Sequence, residues 1–454
     1  MQPTEYSGLH GHPLTGQHAI QIGVPVAAWS TQFQDRWLTH PESRSHSGFG
    51  TFVKHLGGHP YWYCAGGHAT PMRDAFKAVA HNEGLADMTI ELPSAPMPRG
   101  SLIPGSYSDF EIEVEARRLQ SAIKQPVRWS LDTCRAIAPL TLEINDLKQE
   151  KDVFLIAHSY QTPDITYGVA DSVADSYALS KDARYAPQQT ILFSSVRVMA
   201  ETAKIVSPHK LVLHPSPDAG CSLSDGITAQ DGRDLREKYP GVPVVCYINT
   251  SAEVKAECDV CVTSSNYVRI CEMLPGDRLI FVPDRFMGKH LQNHLAGKKE
   301  IIVSDGECEV HAAFTGDKIR NWRKRTASVG IDLRVLTHPE CDADVIEESD
   351  FVGSSEVLMN EALRLASKGK KDLMLITECG TADRVIAESE NDLNLIGACV
   401  MCPHMKKTQL EDILQALRNP LPEQVIELDA DVIERAGQCL DEMFRLTEQS
   451  APTL

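Results

Sequence analysis

The sequence predicts an α/β protein: three repeated α/β/α units with parallel sheets, preceded by an irregular N-terminal extension. Three sets of strand ends, each recurring three times, carry that reading. In the first set an apolar strand runs through a Gly- or Pro-rich turn to a cysteine. Leu211–Leu213 leads to Cys221, Leu279–Val282 to Cys308, and Leu373–Ile376 to Cys402, with the cysteines 87 and 94 residues apart. In the second set the strands end in ionisable residues at His158, Tyr247 and His338, 89 and 91 residues apart. In the third, Ser194-Ser195, Ser264-Ser265 and Ser354-Ser355 precede helical patterns such as Val198–Lys204. A fixed period of about 90 residues marks a repeated unit. Strands alternating with helices imply parallel sheets covered on both faces. Three such units around an axis would bring three sets of strand ends to one central cleft, where open α/β sheets place their chemistry.

The totals bound the function. The chain has 454 residues and a net charge of −18, which argues against nucleic acid or an anionic membrane as partner. No basic segment followed by an apolar core opens the chain, and no apolar run approaches the ~20 residues needed to span a bilayer. Thirteen cysteines in that setting read as free or metal-bound thiols in a reducing cytoplasm.

Taken in order, residues 1–107 form the extension. It holds nine of the 17 histidines, with Trp29, Trp37 and Trp62, and shows little periodicity. Short strands are expected at Val24–Trp29 and Met88–Leu92, a helix at Arg73–Asn82, and a linker at Pro93–Gly105. Ser108 with Glu111 three residues on is a capping box that opens a helix to about Gln125. A second helix is expected over Leu140–Lys151, then a strand over Val153–Ala157. The first unit spans 108–235 and is joined by C-terminal helices within 420–450; the second spans 236–325 and the third 326–419. The first unit carries an extra helix over Ile165–Asp182, containing Asp175-Ser176. Helices over Gln409–Arg418 and Ala430–Thr447 close the chain.

Thiolates hold iron–sulfur clusters and zinc. Zinc favours paired Cys-x-x-Cys knuckles separated by a short loop. The two such pairs here, Cys258/Cys261 and Cys399/Cys402, stand in different units, 138 residues apart from Cys261 to Cys399. One isolated cysteine per unit better suits a cluster that leaves an iron open to substrate. Cys221, Cys308 and Cys402 are therefore read as ligands, and Cys246, Cys258, Cys261, Cys271 and Cys379 as small core residues. Cys341, beside His338 and Glu340, stays ambiguous, as does Cys399, which could replace Cys402 or pair with it in a regulatory disulfide. His158, Tyr160, Tyr247, His311, His338 and Glu340 are candidate acids and bases, since burial moves such groups toward neutrality. The Ser-rich turns either bind phosphate at helix N-termini or simply cap those helices.

At this point the chain resembles the quinolinate synthase family. The matching blocks run in the family's order. They are Ala157-His-Ser-Tyr-Gln161, Met199-Ala-Glu-Thr-Ala-Lys204, Ala219-Gly-Cys-Ser-Leu223, Tyr247-Ile-Asn-Thr-Ser-Ala252, Val262-Thr-Ser-Ser-Asn266, Cys308-Glu-Val-His311, His338-Pro-Glu-Cys341 and Cys402-Pro-His-Met405. They cover roughly residues 140 to 450. The resemblance implies three α/β/α domains around a pseudo-threefold axis and a [4Fe–4S] cluster on Cys221, Cys308 and Cys402, with the fourth iron open. It implies condensation of iminoaspartate with dihydroxyacetone phosphate to quinolinate, phosphate and water, on the way to NAD. An L-aspartate oxidase or aspartate dehydrogenase would supply the imine.

By the same matching, His158, Tyr160, Tyr247, Asn249, His311, His338 and Glu340 would line the substrate site. Ser176, Ser264, Ser354 and Ser355 would hold phosphate and carboxylates, and Tyr160, Glu340, His158 and His338 would serve catalysis. Ala174, Ser159 and the second serine of Ser354-Ser355 depart from the family's usual residues while keeping the neighbouring Tyr160 and the hydroxyl. The competing readings are another iron–sulfur hydro-lyase and a cluster-based redox sensor.

Overall fold

The computed structural model describes residues 104–125, 128–397 and 400–449, together with the backbone of a few short N-terminal strands. Those strands form a pair, Tyr6–Ser7 with Pro13–Leu14, and a three-stranded antiparallel sheet of Phe52–Leu56, His59–Tyr63 and Ala69–Pro71. The elements expected at Val24–Trp29, Arg73–Asn82 and Met88–Leu92 lie outside the described residues.

The first helix of the repeat region, Asp109–Ile123, opens on the expected capping box: Ser108 accepts from the Glu111 amide, and the Glu111 carboxylate accepts from the Ser108 amide at 2.7 Å. The second helix is longer than expected. It runs Leu131–Glu150 from a Ser130 cap and carries Pro139 inside it. An interior proline costs about 3 kcal/mol. Burial of Cys134, Ala138, Thr141 and Ile144 along one face offsets that cost, which no local rule could show.

Twelve strands follow, in three parallel sheets of four. The first holds β1 (Val153–His158), β2 (Ser172–Ala174), β3 (Thr190–Ser194) and β4 (Leu211–Leu213) in the order β2-β1-β3-β4. The second holds β5 (Val244–Tyr247), β6 (Val260–Val262), β7 (Arg278–Val282) and β8 (Glu300–Val303) in the order β6-β5-β7-β8. The third holds β9 (Arg334–Thr337), β10 (Phe351–Val352), β11 (Asp372–Ile376) and β12 (Asn394–Leu395) in the order β10-β9-β11-β12. The three orders are the same, so the 90-residue period is one topology used three times. The inner strands read as continuous apolar runs because both faces of each sheet are covered.

The structure corrects the first unit. Ile165–Asp182 is not one helix. A short helix, Pro163–Thr166, is followed by edge strand β2 and then by a helix over Ser176–Tyr185 capped by Asp175. A three-residue edge strand is too short to show alternation, and its pairing with Ile156–His158 comes only from the tertiary fold. The unit therefore has no extra element. Ser176, just past β2, is the counterpart of Ser264 and Ser355, lying 18, 17 and 17 residues after His158, Tyr247 and His338. Ser194-Ser195 instead close β3, and Val196 after them takes the helix-capping place that Asp284 and Glu378 hold in the other units.

The closing helices tie the units together. Ile413, Leu414 and Leu417 of helix Leu410–Arg418 pack into the core with Leu155 and Leu192 of the first sheet. Leu440, Met443 and Phe444 of helix Ala430–Gln449 pack into the second sheet's core with Val245 and Phe281.

Candidate active site

Each sheet changes strand order between its first and third strands. Ligands of open α/β sheets bind beyond that switch point. Here the three switch points face one cavity of about 50 Å³, open at its mouth. His158, Tyr247 and His338 reach it from the ends of β1, β5 and β9, and Tyr160, Asn249 and Glu340 follow two residues on. Ser176, Ser264 and Ser355 enter after the edge strands, and Cys221, Cys308 and Cys402 after the fourth strands. Two expected residues stand behind this wall. His311 is buried against Glu340, and Ser354 is buried with its hydroxyl 3.4 Å from Asp175.

The cysteines divide by environment. Among the described residues ten are free thiols, and Cys221, Cys308 and Cys402 are the partly exposed ones; the rest are buried. Each of the three sulfurs accepts backbone N–H groups from the turn after it: Ser224 and Leu223 at Cys221, His311 at Cys308, and Met405 and His404 at Cys402. Those amides favour the thiolate a metal requires. Without a metal, burial dominates and raises Cys221 to about 11 and Cys402 to about 12, with Cys308 also pushed up by burial and by Glu340.

These donors suit a polynuclear cluster better than a single ion. Among the described residues, the set of Cys, His, Asp or Glu donors lying within 4.8 Å of one another is Cys308, His311 and Glu340; the three cysteines are not such a set. Sulfurs that each bind their own iron must stand farther apart than the donors of one ion. Cys341 is buried in the third unit's core and Cys402 is a free thiol, while Cys379 is disulfide-bonded rather than a free core residue. Cys399 lies outside the described residues.

The cysteine loops are latched to one another. Ser222 donates to the Glu307 carbonyl at 3.3 Å and accepts from the Glu309 amide at 3.2 Å. Glu309 in turn lies 3.1 Å from His404 Nε2. One residue next to Cys221, one next to Cys308 and one two residues past Cys402 thus join the three units. Sequence reasoning missed this, since nothing local says which loops meet.

Glu340 anchors the polar network. His311 Nδ1 lies 2.8 Å from one carboxylate oxygen, and the Tyr247 hydroxyl donates to the other. His338 stacks on His311 with ring centroids 4.5 Å apart. Burial alone would raise the Glu340 carboxyl. The two imidazoles and the hydrogen bonds from His311 and Tyr247 instead hold it well below the usual carboxylate range. The Tyr160 hydroxyl lies 2.7 Å from Ser355 and 3.0 Å from Thr377. Burial, then the Glu340 charge, pushes both Tyr160 and Tyr247 up, so each keeps its hydroxyl proton. Gly380 is required here: a Cβ on it would come within 2.5 Å of the Ser159 carbonyl, so only glycine lets that helix support the Tyr160 loop.

Two buried carboxyls also escaped the sequence reading. Glu378 accepts the Cys402 amide at 3.0 Å and pairs with Lys406 at 2.9 Å, which fixes the third cysteine loop. Asp284 caps helix Arg285–His294 through Met287, while its other oxygen has no hydrogen-bond partner among the described residues. Burial and Glu340 raise Asp284, and burial raises Glu378 against the pull of Lys406. The available signal was positional, because both acids end the third strand of their unit.

Burial lowers His158 and His338 to about 3, so both are neutral in the folded chain. Their ordinary value is about 6.5, so the unfolded chain binds more protons between those limits. Their contribution to stability is therefore present above pH ~6.5 and lost as pH falls toward 3. Asp284 and Glu378, raised, act in the opposite sense. The histidine part is isolated by comparing cluster-free wild type with His338→Asn in thermal melts from pH 7.5 to 4.5. The variant is expected to lose less stability on acidification; equal losses would contradict a neutral buried His338.

Comparison with known proteins places this arrangement. Residues 142–445 match the sequence model of the Quinolinate synthetase A protein family. A quinolinate synthase of Caulobacter vibrioides (strain NA1000 / CB15N) is 42% identical over 349 residues, covering 75% of this chain and 90% of the relative. That of Sinorhizobium fredii is 41% identical over 313 residues, covering 69% and 84%. That of Xylella fastidiosa is 38% identical over 303 residues, covering 67% and 86%. The matched span contains all three sheets and every residue of the cavity wall, and on that ground the chain belongs to the quinolinate synthetase A family of enzymes.

Proposed function

We propose that the protein condenses iminoaspartate with dihydroxyacetone phosphate, giving quinolinate, phosphate and two waters, in NAD biosynthesis. The observation that carries this is one cavity lined by a cysteine from each of three units, by Glu340, and by two helix N-termini. Cys221, Cys308 and Cys402 would hold a [4Fe–4S] cluster whose fourth iron has no protein ligand. When bound, the cluster supplies an open iron that acts as a Lewis acid toward a substrate hydroxyl or carboxylate.

The chain's own groups do the rest. Ser176 and Ser355 stand at the first positions of helices Ser176–Tyr185 and Ser355–Ser367, where hydroxyls and free amides meet the positive end of the dipole. With Ser264 they hold the phosphate and carboxylates of two anionic substrates. Asn249, whose buried side-chain oxygen has no hydrogen-bond partner among the described residues, orients the bound substrate. Glu340, which lines the cavity between Tyr247 and His338, takes protons from substrate carbon and nitrogen, and Tyr160 and Tyr247 return them. Neutral His158 and His338 act through hydrogen bonds rather than charge.

No helix among the described residues is long and apolar enough to cross a membrane. We place the enzyme in the cytoplasm, where an L-aspartate oxidase or aspartate dehydrogenase would deliver the short-lived imine.

Ser264→Ala and Ser355→Ala test the phosphate assignment. Losing a hydrogen bond to a charged group costs about 1.5–3 kcal/mol. The KM for the triose phosphate should therefore rise about tenfold or more, with a smaller change in kcat. An unchanged KM in both variants would favour a different iron–sulfur hydro-lyase. No turnover by cluster-loaded wild type would favour a sensor.

A further inference from the structure

We propose that the cluster-free protein carries a second metal site, in which Cys308, His311 and Glu340 bind a single divalent ion of the zinc class, and that this site excludes the cluster. The exclusion rests on the reading of Cys308 as a cluster ligand; the site itself does not.

The geometry is a converged soft–borderline–hard donor set. The donor atoms all lie within 4.8 Å of one another, with His311 Nδ1 3.2 Å from the Cys308 sulfur and 2.8 Å from the Glu340 carboxylate. Zinc bonds of about 2.0–2.3 Å at tetrahedral angles separate such donors by about 3.3–3.6 Å, so His311 needs to part from each of its two neighbours by only about 0.5 Å or less. His311 and Glu340 are 1% and 3% exposed, which pre-sets their orientation.

The surrounding shell also fits. A metal-bound imidazole gives its other N–H to an oxygen. Here His311 Nε2 lies 3.1 Å from Thr377 Oγ1. Binding places the imidazole's one proton on Nε2, which then donates to Thr377, and frees Nδ1 for the ion. The Cys308 thiol proton leaves to solvent, so the ion meets one thiolate, one neutral imidazole and one carboxylate. Three protein ligands leave a fourth position for water.

The consequence is regulatory. Cys308 cannot serve both sites. A chain that has lost its cluster and met zinc would be held inactive, with Glu340 withdrawn from the substrate as well.

Full-length protein is stripped of its cluster anaerobically and titrated with Zn²⁺ alone against a chromogenic chelator. We expect one equivalent per chain, weakened about tenfold or more by His311→Asn and by Glu340→Gln. Cys221→Ser and Cys402→Ser should change the affinity by less than about threefold, well under the loss expected for a true ligand. Co²⁺ in place of zinc should give a sulfur-to-metal absorption band lost in Cys308→Ser and kept in Cys221→Ser. Zinc-loaded wild type should take up no iron and sulfide until the zinc is chelated.

Equal sensitivity to all three cysteines would put the ion in the cluster's place and overturn the proposal, as would no binding by wild type. Circular dichroism checks that each variant is folded, and Glu340→Gln carries the comparison if His311→Asn is not. Zinc binding that follows His311 and Glu340 in a protein that never assembles a cluster would support this site and sink the cluster reading. Normal cluster assembly without zinc binding would do the reverse.

Discussion

Purified anaerobically, the wild-type protein will hold about four iron and four acid-labile sulfide per chain, and Cys221→Ser, Cys308→Ser and Cys402→Ser will each lose the cluster and all quinolinate formation. The effect is expected to be complete rather than graded. Each cysteine closes the fourth-strand loop of a different unit, and no other free thiol among the described residues is partly exposed to take its place. The seven buried thiols are enclosed in the cores, so no local shift brings one into the cavity. Iron that survives any one of the three substitutions would break the ligand assignment. Iron and sulfide assays decide this without an activity measurement.

Glu340→Gln is the second large effect. The amide keeps the shape and can still accept from Tyr247, but it cannot take a proton. General-base contributions are worth about 10²–10⁴ in rate. We expect kcat to fall by that factor while the iron content stays at the wild-type level. A kcat within about threefold of wild type at full iron content would move the base elsewhere, with Asp284 next in line because its buried carboxyl is raised by burial and by the Glu340 charge.

Some of this was legible in the chain and some was not. The His158–Tyr247–His338 and Cys221–Cys308–Cys402 series were visible because each marks the end of a strand, and strand ends recur at the period of the fold. The serine series misled. Ser194-Ser195 matches Ser264-Ser265 by composition, while the true counterpart, Ser176, follows a strand of three residues. So short a strand has no pattern of its own; it exists because Ile156–His158 offers it a ladder. The helix expected over Leu140–Lys151 starts at Leu131 for a related reason, since the apolar face that carries it through Pro139 is defined by what it packs on.

By itself, then, the sequence determined the number of units, their parallel α/β character and which residue types stand at the strand ends. Those follow from local hydrophobic period and turn chemistry, which neighbouring residues decide among themselves. The tertiary structure alone decided which strand ends face one another. It put His311 behind Glu340 rather than on the wall, brought Ser222, Glu309 and His404 together across three units, and set Asp284 and Glu378 beneath the site. Those contacts join residues far apart in the chain, and their energies come from burial and charge in a cavity that no single unit forms.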